Sequence, residues 1–283
     1  MTTNNEIESM ARDLAMKGYT ERTQKDYLAR AKHLSDHFGR PARELSREEL
    51  RQYVEEALLA PERGTTWKTK QLCALLFLYR KTLGLPDQVS FISLPRQRSV
   101  LPAVLSNHQV SVLLNTIKNS RYQAIAMVMY GCGLRVDEAI TLEVHDIDGA
   151  RGVIRVRKGK GKKQREVNLS PSLYQWLRDY WRRERPRAPY LFASRAGKLP
   201  SQRTVRKALA KAATEAGIKK HVTSHVLRHS YATHLLEQGT DIRVVSALLG
   251  HASIKTTARY ARVTRKTVRQ TPSPVDLLPH KLW

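Results

Sequence analysis

Between residues 225 and 260 the chain gathers side chains suited to holding an anion and attacking it. His225-Val-Leu-Arg228-His229 is followed by Leu249-Gly250-His251 and, nine residues further on, by Tyr260. These strings offer a guanidinium, two or three imidazoles and a phenol within forty residues. His225 and Arg228 are three apart, so on a helix they share a face. Near the start of that helix the same face also receives the positive end of the macrodipole, a place for an anion. Each residue has a plainer reading when taken alone. His225 and His229 form an HxxxH pair that could hold a metal, although the Glu of HExxH is missing and the spacing suggests no third ligand. Arg228 alone could be a surface charge, and His251 a satisfied histidine at a helix end. Tyr260 alone is more often a core aromatic with a hydrogen-bonded hydroxyl.

Composition narrows the anion. Among 283 residues, 50 Lys and Arg face 25 Asp and Glu, a net charge of +25. A field of that size calls for a polyanion, and nucleic acids and anionic membrane surfaces are the common ones. The membrane is the weaker choice. The most apolar run, Leu72 to Leu78, is far shorter than the roughly 18 residues that suggest a spanning helix. The polar segment Met1 to Met10, with two Glu, resembles neither a signal nor a transit peptide, and no lipid-anchoring motif appears. A cytoplasmic, nucleoid-associated protein with no membrane partner is expected. Cys73 and Cys132 lie singly in apolar surroundings and read as small buried hydrophobes rather than a zinc ribbon or a disulfide framework. Aromatics make up only 7% and no RNP-like string occurs, which argues against an RNA-stacking module.

The elements that must position these residues are mostly helical. Tyr27, Leu28, Ala31, Leu34 and Phe38 recur at helical spacing, Ser46 to Glu49 forms a capping box, and Leu72, Leu75, Leu76, Tyr79 and Leu83 continue to a closing Gly84. This predicts an N-terminal bundle over 1–87, with Arg22, Lys25, Arg30, Lys32, Lys68, Lys70, Arg80 and Lys81 on basic outer faces. Pro86, Pro95 and Pro102 break the pattern, so 88–103 is expected to be an exposed basic linker. A second domain, 104–283 with a C-terminal tail, opens on a capping box at Ser106 to Gln109. An apolar helix from Tyr122 to Tyr130 leads into Gly131-Cys132-Gly133. The period then changes: Gly152 to Arg157 and Arg165 to Leu169 read as two strands, with Lys158 to Lys163 as the turn between them. Ser170-Pro171 starts the next helix, and Gly239 and Gly250 fall at helix C-termini.

Taken together, these strings resemble the tyrosine recombinases, the phage-integrase-like family, and its compact Xer-type members in particular. Gly131-Cys-Gly-Leu-Arg135-Val-Asp-Glu138 is similar to the family's first arginine box. Gly159-Lys160-Gly161 is similar to its hairpin lysine, His225-Val-Leu-Arg228-His229 to its second arginine box, and Leu248-Leu-Gly250-His251 with Tyr260 to its nucleophile box. The resemblance runs from about residue 103 to 265. It implies a mainly α fold with a small antiparallel β-sheet: an N-terminal helical SAM-like bundle and a C-terminal α+β catalytic domain.

The resemblance also implies site-specific DNA recombination without metal, ATP or other cofactor. Tyr260 would attack a phosphodiester, form a 3′-phosphotyrosine and release a 5′-hydroxyl, and a second strand's 5′-hydroxyl would reseal the backbone. No GxxxxGK[ST] loop is present. A free tyrosine has a pKa near 10, so reaching the phenolate at neutral pH costs roughly 4 kcal/mol. Arg135 and Arg228 would offset part of this and meet the charge of the five-coordinate transition state. Lys160 would protonate the leaving oxygen. His225 would accept a proton or bind phosphate, and His251 would donate to the phosphate. Glu138 would support Arg135, and His229 would pack. Among the eight basic residues of 151–170, Lys160 is singled out by its match to the family's position alone. The implied partners are double-stranded DNA sites, a homo-tetramer on DNA, and possible second recombinases or DNA-bending accessory proteins. DNA relaxation in the manner of a type IB topoisomerase, or DNA binding without catalysis, are the alternatives.

Overall fold

The computed structural model describes residues 3–61, 64–94, 103–157 and 164–250. The chain divides into two compact units, 1–99 and 100–283. It is mostly helical with one small antiparallel sheet, as expected.

The N-terminal unit contains helices α1 (Thr3–Met16), α2 (Glu21–Phe38), α3 (Arg47–Leu59) and α4 (Thr65–Phe77). The capping box at Ser46 and Glu49 is formed, and α4 continues into a π-helical turn, Leu78–Thr82, before Gly84 turns the chain at φ 69°. Met10, Leu14, Leu34, Leu50, Leu72 and Leu75 make its core. Glu6, almost fully buried, accepts from the amides of Ala42 and Arg43, and the Tyr79 hydroxyl donates to the Ala42 carbonyl. Two features differ from expectation. Arg30 turns inward: it pairs with Asp26 at 3.1 Å and lies over the Trp67 ring at 5.4 Å, because neighbouring Asp26 and Trp67 offer it both a charge and a π face. Val89 and Ile92, expected in an exposed linker, are buried in this unit's core, since a short 3₁₀ turn at Pro86–Val89 folds them back. Residues 95–102, with Pro95 and Pro102, lie outside the described residues.

The second unit holds α5 (Asn107–Thr116), α6 (Ser120–Gly131), α7 (Val136–Ile140), β1 (Ile147–Asp148), β2 (Val153–Val156), β3 (Arg165–Asn168), α8 (Pro171–Glu184), α9 (Gln202–Glu215), α10 (Ser224–Glu237) and α11 (Ile242–Leu249). The helix α6 is its axis: Ala124, Ile125, Ala126, Val128 and Met129 are all fully buried, so most of its circumference is enclosed. Ser106 and Gln109 cap α5, and Ser170 with Pro171 opens α8. The sheet runs β1-β2-β3, with Ile154 opposite Val167 and Val156 opposite Arg165. The strand β1 was not expected; two residues are too few to show alternation. Cys132 is fully buried and burial pushes its thiol up to about 12, whereas Cys73 is only partly buried.

Candidate active site

The site is organised by one buried carboxylate. Arg135 is the N-cap of α7, and Glu138, three residues on, turns back so that its Oε2 accepts from the Arg135 amide at 2.8 Å. Its Oε1 accepts from the Arg135 guanidinium, also at 2.8 Å. Arg165, the first residue of β3, grips both carboxylate oxygens at 2.9 and 2.7 Å. Arg228 of α10 brings a third guanidinium to 3.8 Å from Oε2. Burial acts to raise the Glu138 carboxyl. The hydrogen bonds from Arg165 and from the Arg135 amide and side chain, with the Arg165 charge, outweigh it and hold the group at about 2. Glu138 is therefore ionised throughout the neutral range, and three cations converge on a single anion. The excess positive charge faces outward at Arg135, whose side chain is 25% exposed.

Arg228 is no surface charge. It is 4% exposed, and its two terminal nitrogens donate to backbone carbonyls, Nη1 to Gly133 at 2.6 Å and Nη2 to Leu249. Those carbonyls belong to the turn between α6 and α7 and to the last turn of α11, so one guanidinium ties three segments together. Gly133 is required on two counts. Its φ of 64° favours glycine, and a Cβ there would come within 2.5 Å of the Tyr231 ring.

His225 is the second residue of α10 and is exposed, one helical turn before Arg228. Partial desolvation, followed by the charges of Arg206, Arg228 and Arg135, lowers its pKa, with Asp137 acting weakly the other way. These influences favour the neutral imidazole, the form that can accept a proton. Three arginines acting on one ring favour an anion beside it, not a cation. His229 lies 6.3 Å from His225, ring centroid to centroid, and is partly buried.

The structure therefore brings together Arg135, Glu138, His225 and Arg228. Lys160, His251 and Tyr260 lie outside the described residues, as do the hairpin turn 158–163 and the tail. Sequence reasoning missed Arg165 and Arg206. Arg165 did carry a signal: it shares the inward face of its strand with Val167 and Leu169, where a charge is out of place. No described helix is long and apolar enough to cross a membrane.

Comparison with known proteins decides the family. Residues 103–267 match the phage integrase family and residues 7–87 match the phage integrase N-terminal SAM-like domain. This chain belongs to the phage integrase family. It is a tyrosine recombinase of the Xer type, an enzyme of site-specific DNA recombination. An integrase/recombinase of Sinorhizobium fredii is 38% identical over 95% of this chain and 88% of its own. The tyrosine recombinase XerA of Pyrococcus furiosus is 38% identical over 71% of each chain. Among solved structures, XerA recombinase superposes with a TM-score of 0.54 at 27% identity, covering 94% of this chain and 96% of that one. A lambda integrase dimer bound to a core site gives 0.74 at 17% identity over 92% and 95%, a likeness of fold.

Proposed function

We propose that this recombinase cuts and rejoins DNA through a 3′-phosphotyrosyl intermediate on Tyr260, with Arg135, Lys160, His225, Arg228 and His251 acting on one phosphate. The observation that carries this reading is the convergence of Arg135 and Arg228 on Glu138, with His225 close enough to both guanidinium groups for their charges to lower its pKa. Such a cluster is preorganised for the charge that develops on a phosphate under attack, so no reorientation is needed as the reaction proceeds. Arg135, the more exposed of the two arginines, would meet the non-bridging oxygens with its planar fork. Arg228 would hold positive charge beneath the phosphate, and His225 would take up or share a proton. Connectivity supports the remaining roles. Arg157 and Gln164 flank the segment that contains Lys160, and paired Val156 and Arg165 set its base beside Glu138. The chain enters the segment of His251 and Tyr260 from Gly250, one residue past the carbonyl that holds Arg228.

The phosphate ester energy would be kept in the phosphotyrosine, which is why rejoining would need neither metal nor nucleotide. DNA sites are the proposed substrates, engaged by a homo-tetramer in the cytoplasm, with the two units divided near residue 99 and the tail docking on a neighbouring subunit. Recombinases solved in complex with DNA, XerH with its difH substrate and a lambda integrase dimer with its core site, support DNA as the partner. The test uses nicked duplexes from a random-fragment library, in which the nick lets the cleaved end diffuse away and traps the covalent complex. Wild type is expected to form a denaturant-resistant protein–DNA adduct and Tyr260→Phe none. An adduct that persists in Tyr260→Phe overturns the assignment.

A further inference from the structure

Arg165 has a fold-level cost that packing does not repay. Its strand alternates toward the core, and Val167 and Leu169, on the same face, are buried at 1% and 2% exposure. An apolar residue would suit that position, yet an arginine occupies it with its side chain 9% exposed. Burying an ion pair of this kind is often no more stabilising than a well-packed apolar substitute. What the arginine does supply is geometry. Its two terminal nitrogens hold both oxygens of Glu138, while its Nε donates to the Leu248 carbonyl at 2.7 Å. A lysine ammonium cannot reproduce three donors in one plane. The stem of Arg165 also lies against Gly250, where an added Cβ would stand 3.0 Å from its Cδ.

We propose that Arg165 is a positioning residue for strand cleavage. It fixes the Glu138 carboxylate, and through it the guanidinium groups of Arg135 and Arg228, and it tethers the start of β3 to the end of α11, from which the chain leads to His251 and Tyr260. The proposal rests on the reading of Arg135 and Arg228 as phosphate-binding groups. Glu138 is faced by Arg135 from its own helix, by Arg165 from β3 and by Arg228 from α10. Glu143, Asp146, Arg155 and Arg157 line a cavity on its other side.

The experiment compares single-turnover cleavage of the nicked duplex by wild type, Arg165→Met, Arg165→Lys and the double variant Arg165→Met/Glu138→Gln, at saturating protein and over a range of pH. DNA affinity and melting temperature are measured beside it. Arg165→Met is expected to cut about a hundredfold more slowly at unchanged DNA affinity, the penalty of a misplaced catalytic group. Arg165→Lys should fall between the two. Arg165→Met should also lose activity at mildly acidic pH where wild type does not, because Glu138, without its strongest partner, returns toward the ordinary carboxylate range. Removing that extra acid limb in the double variant assigns it to Glu138; any limb shared with wild type belongs to other groups, His225 among them. Wild-type rate and pH profile in Arg165→Met overturn the proposal. So does a slower rate that tracks only a lowered melting temperature, with no added acid limb and no recovery in Arg165→Lys. Arg135→Ala in the same assay separates the levels: if it cuts at the wild-type rate, the underlying site reading fails and this role with it, whereas a dead Arg135→Ala beside a normal Arg165→Met removes the positioning role alone.

Discussion

At the scale of single residues, the site depends on close approaches that tolerate little added volume. Gly133 is the sharpest case. Its carbonyl receives Arg228, its φ is 64°, and the Tyr231 ring occupies the space of a Cβ. Gly133→Ala combines left-handed strain with overpacking, each of which costs about 1–3 kcal/mol. Its melting temperature is expected to fall by several degrees, with cleavage falling further than stability because Arg228 moves with the carbonyl. An unchanged melting curve would contradict this account of the turn. Glu138 adds a pH dependence. Its folded pKa of about 2 lies below the ordinary 4.5, so its stabilisation is fully present above about pH 4.5 and is lost as pH falls toward 2. A carboxyl held that low contributes on the order of 3 kcal/mol. Glu138→Gln should therefore melt lower than wild type at pH 7, with the gap closing toward pH 2; a gap constant with pH would contradict it. At this scale the sequence conveyed identity better than environment. Arg135, His225 and Arg228 were legible from their strings. The burial of Arg228, the lowered pKa of His225 and the part of Arg165 depend on tertiary contacts, as in Arg165 with Glu138, 27 positions away, and Arg228 with Gly133, 95 away.

At the scale of elements, α10 is both a carrier of chemistry and a clamp. Beyond His225 and Arg228 it buries Ser230 and His234, which fasten the start of the catalytic unit. Ser230 Oγ accepts from the Leu105 amide at 2.9 Å, and His234 Nε2 donates to the Leu105 carbonyl at 2.9 Å. The other ring nitrogen, His234 Nδ1, shares a hydrogen bond with the Tyr130 hydroxyl, 2.8 Å away on α6. His234→Ala leaves the buried Leu105 carbonyl unsatisfied, at about 1–3 kcal/mol, removes one partner of the Tyr130 hydroxyl, and is expected to lower the melting temperature of the second unit. Normal stability in that variant would show that the clamp contributes nothing. The elements with local signatures were the legible ones: the capping boxes at Ser46 and Ser106, the Ser170-Pro171 start and the Gly250 end. The inward turn of Arg30 and the burial of Val89 and Ile92 had none, because tertiary partners supplied by other helices decide them.

At the scale of the whole molecule, the net charge of +25 sets how DNA is met. Binding that neutralises phosphates releases counterions, so log affinity should fall steeply and linearly with log salt. A flat salt dependence would contradict an electrostatic encounter. Charge alone identifies a polyanion, and only the ordered strings from Arg135 to Tyr260 turned that into strand exchange; the target sequence has no such signature, because base contacts and DNA deformability determine it. The central claim is that Tyr260 carries the DNA by a 3′-phosphate, and the most direct test is to trim the trapped adduct with nuclease and map the modified peptide by mass spectrometry. The expected result is a nucleotide joined through its 3′-phosphate to Tyr260. A different modified residue, or a 5′ linkage, would contradict the account.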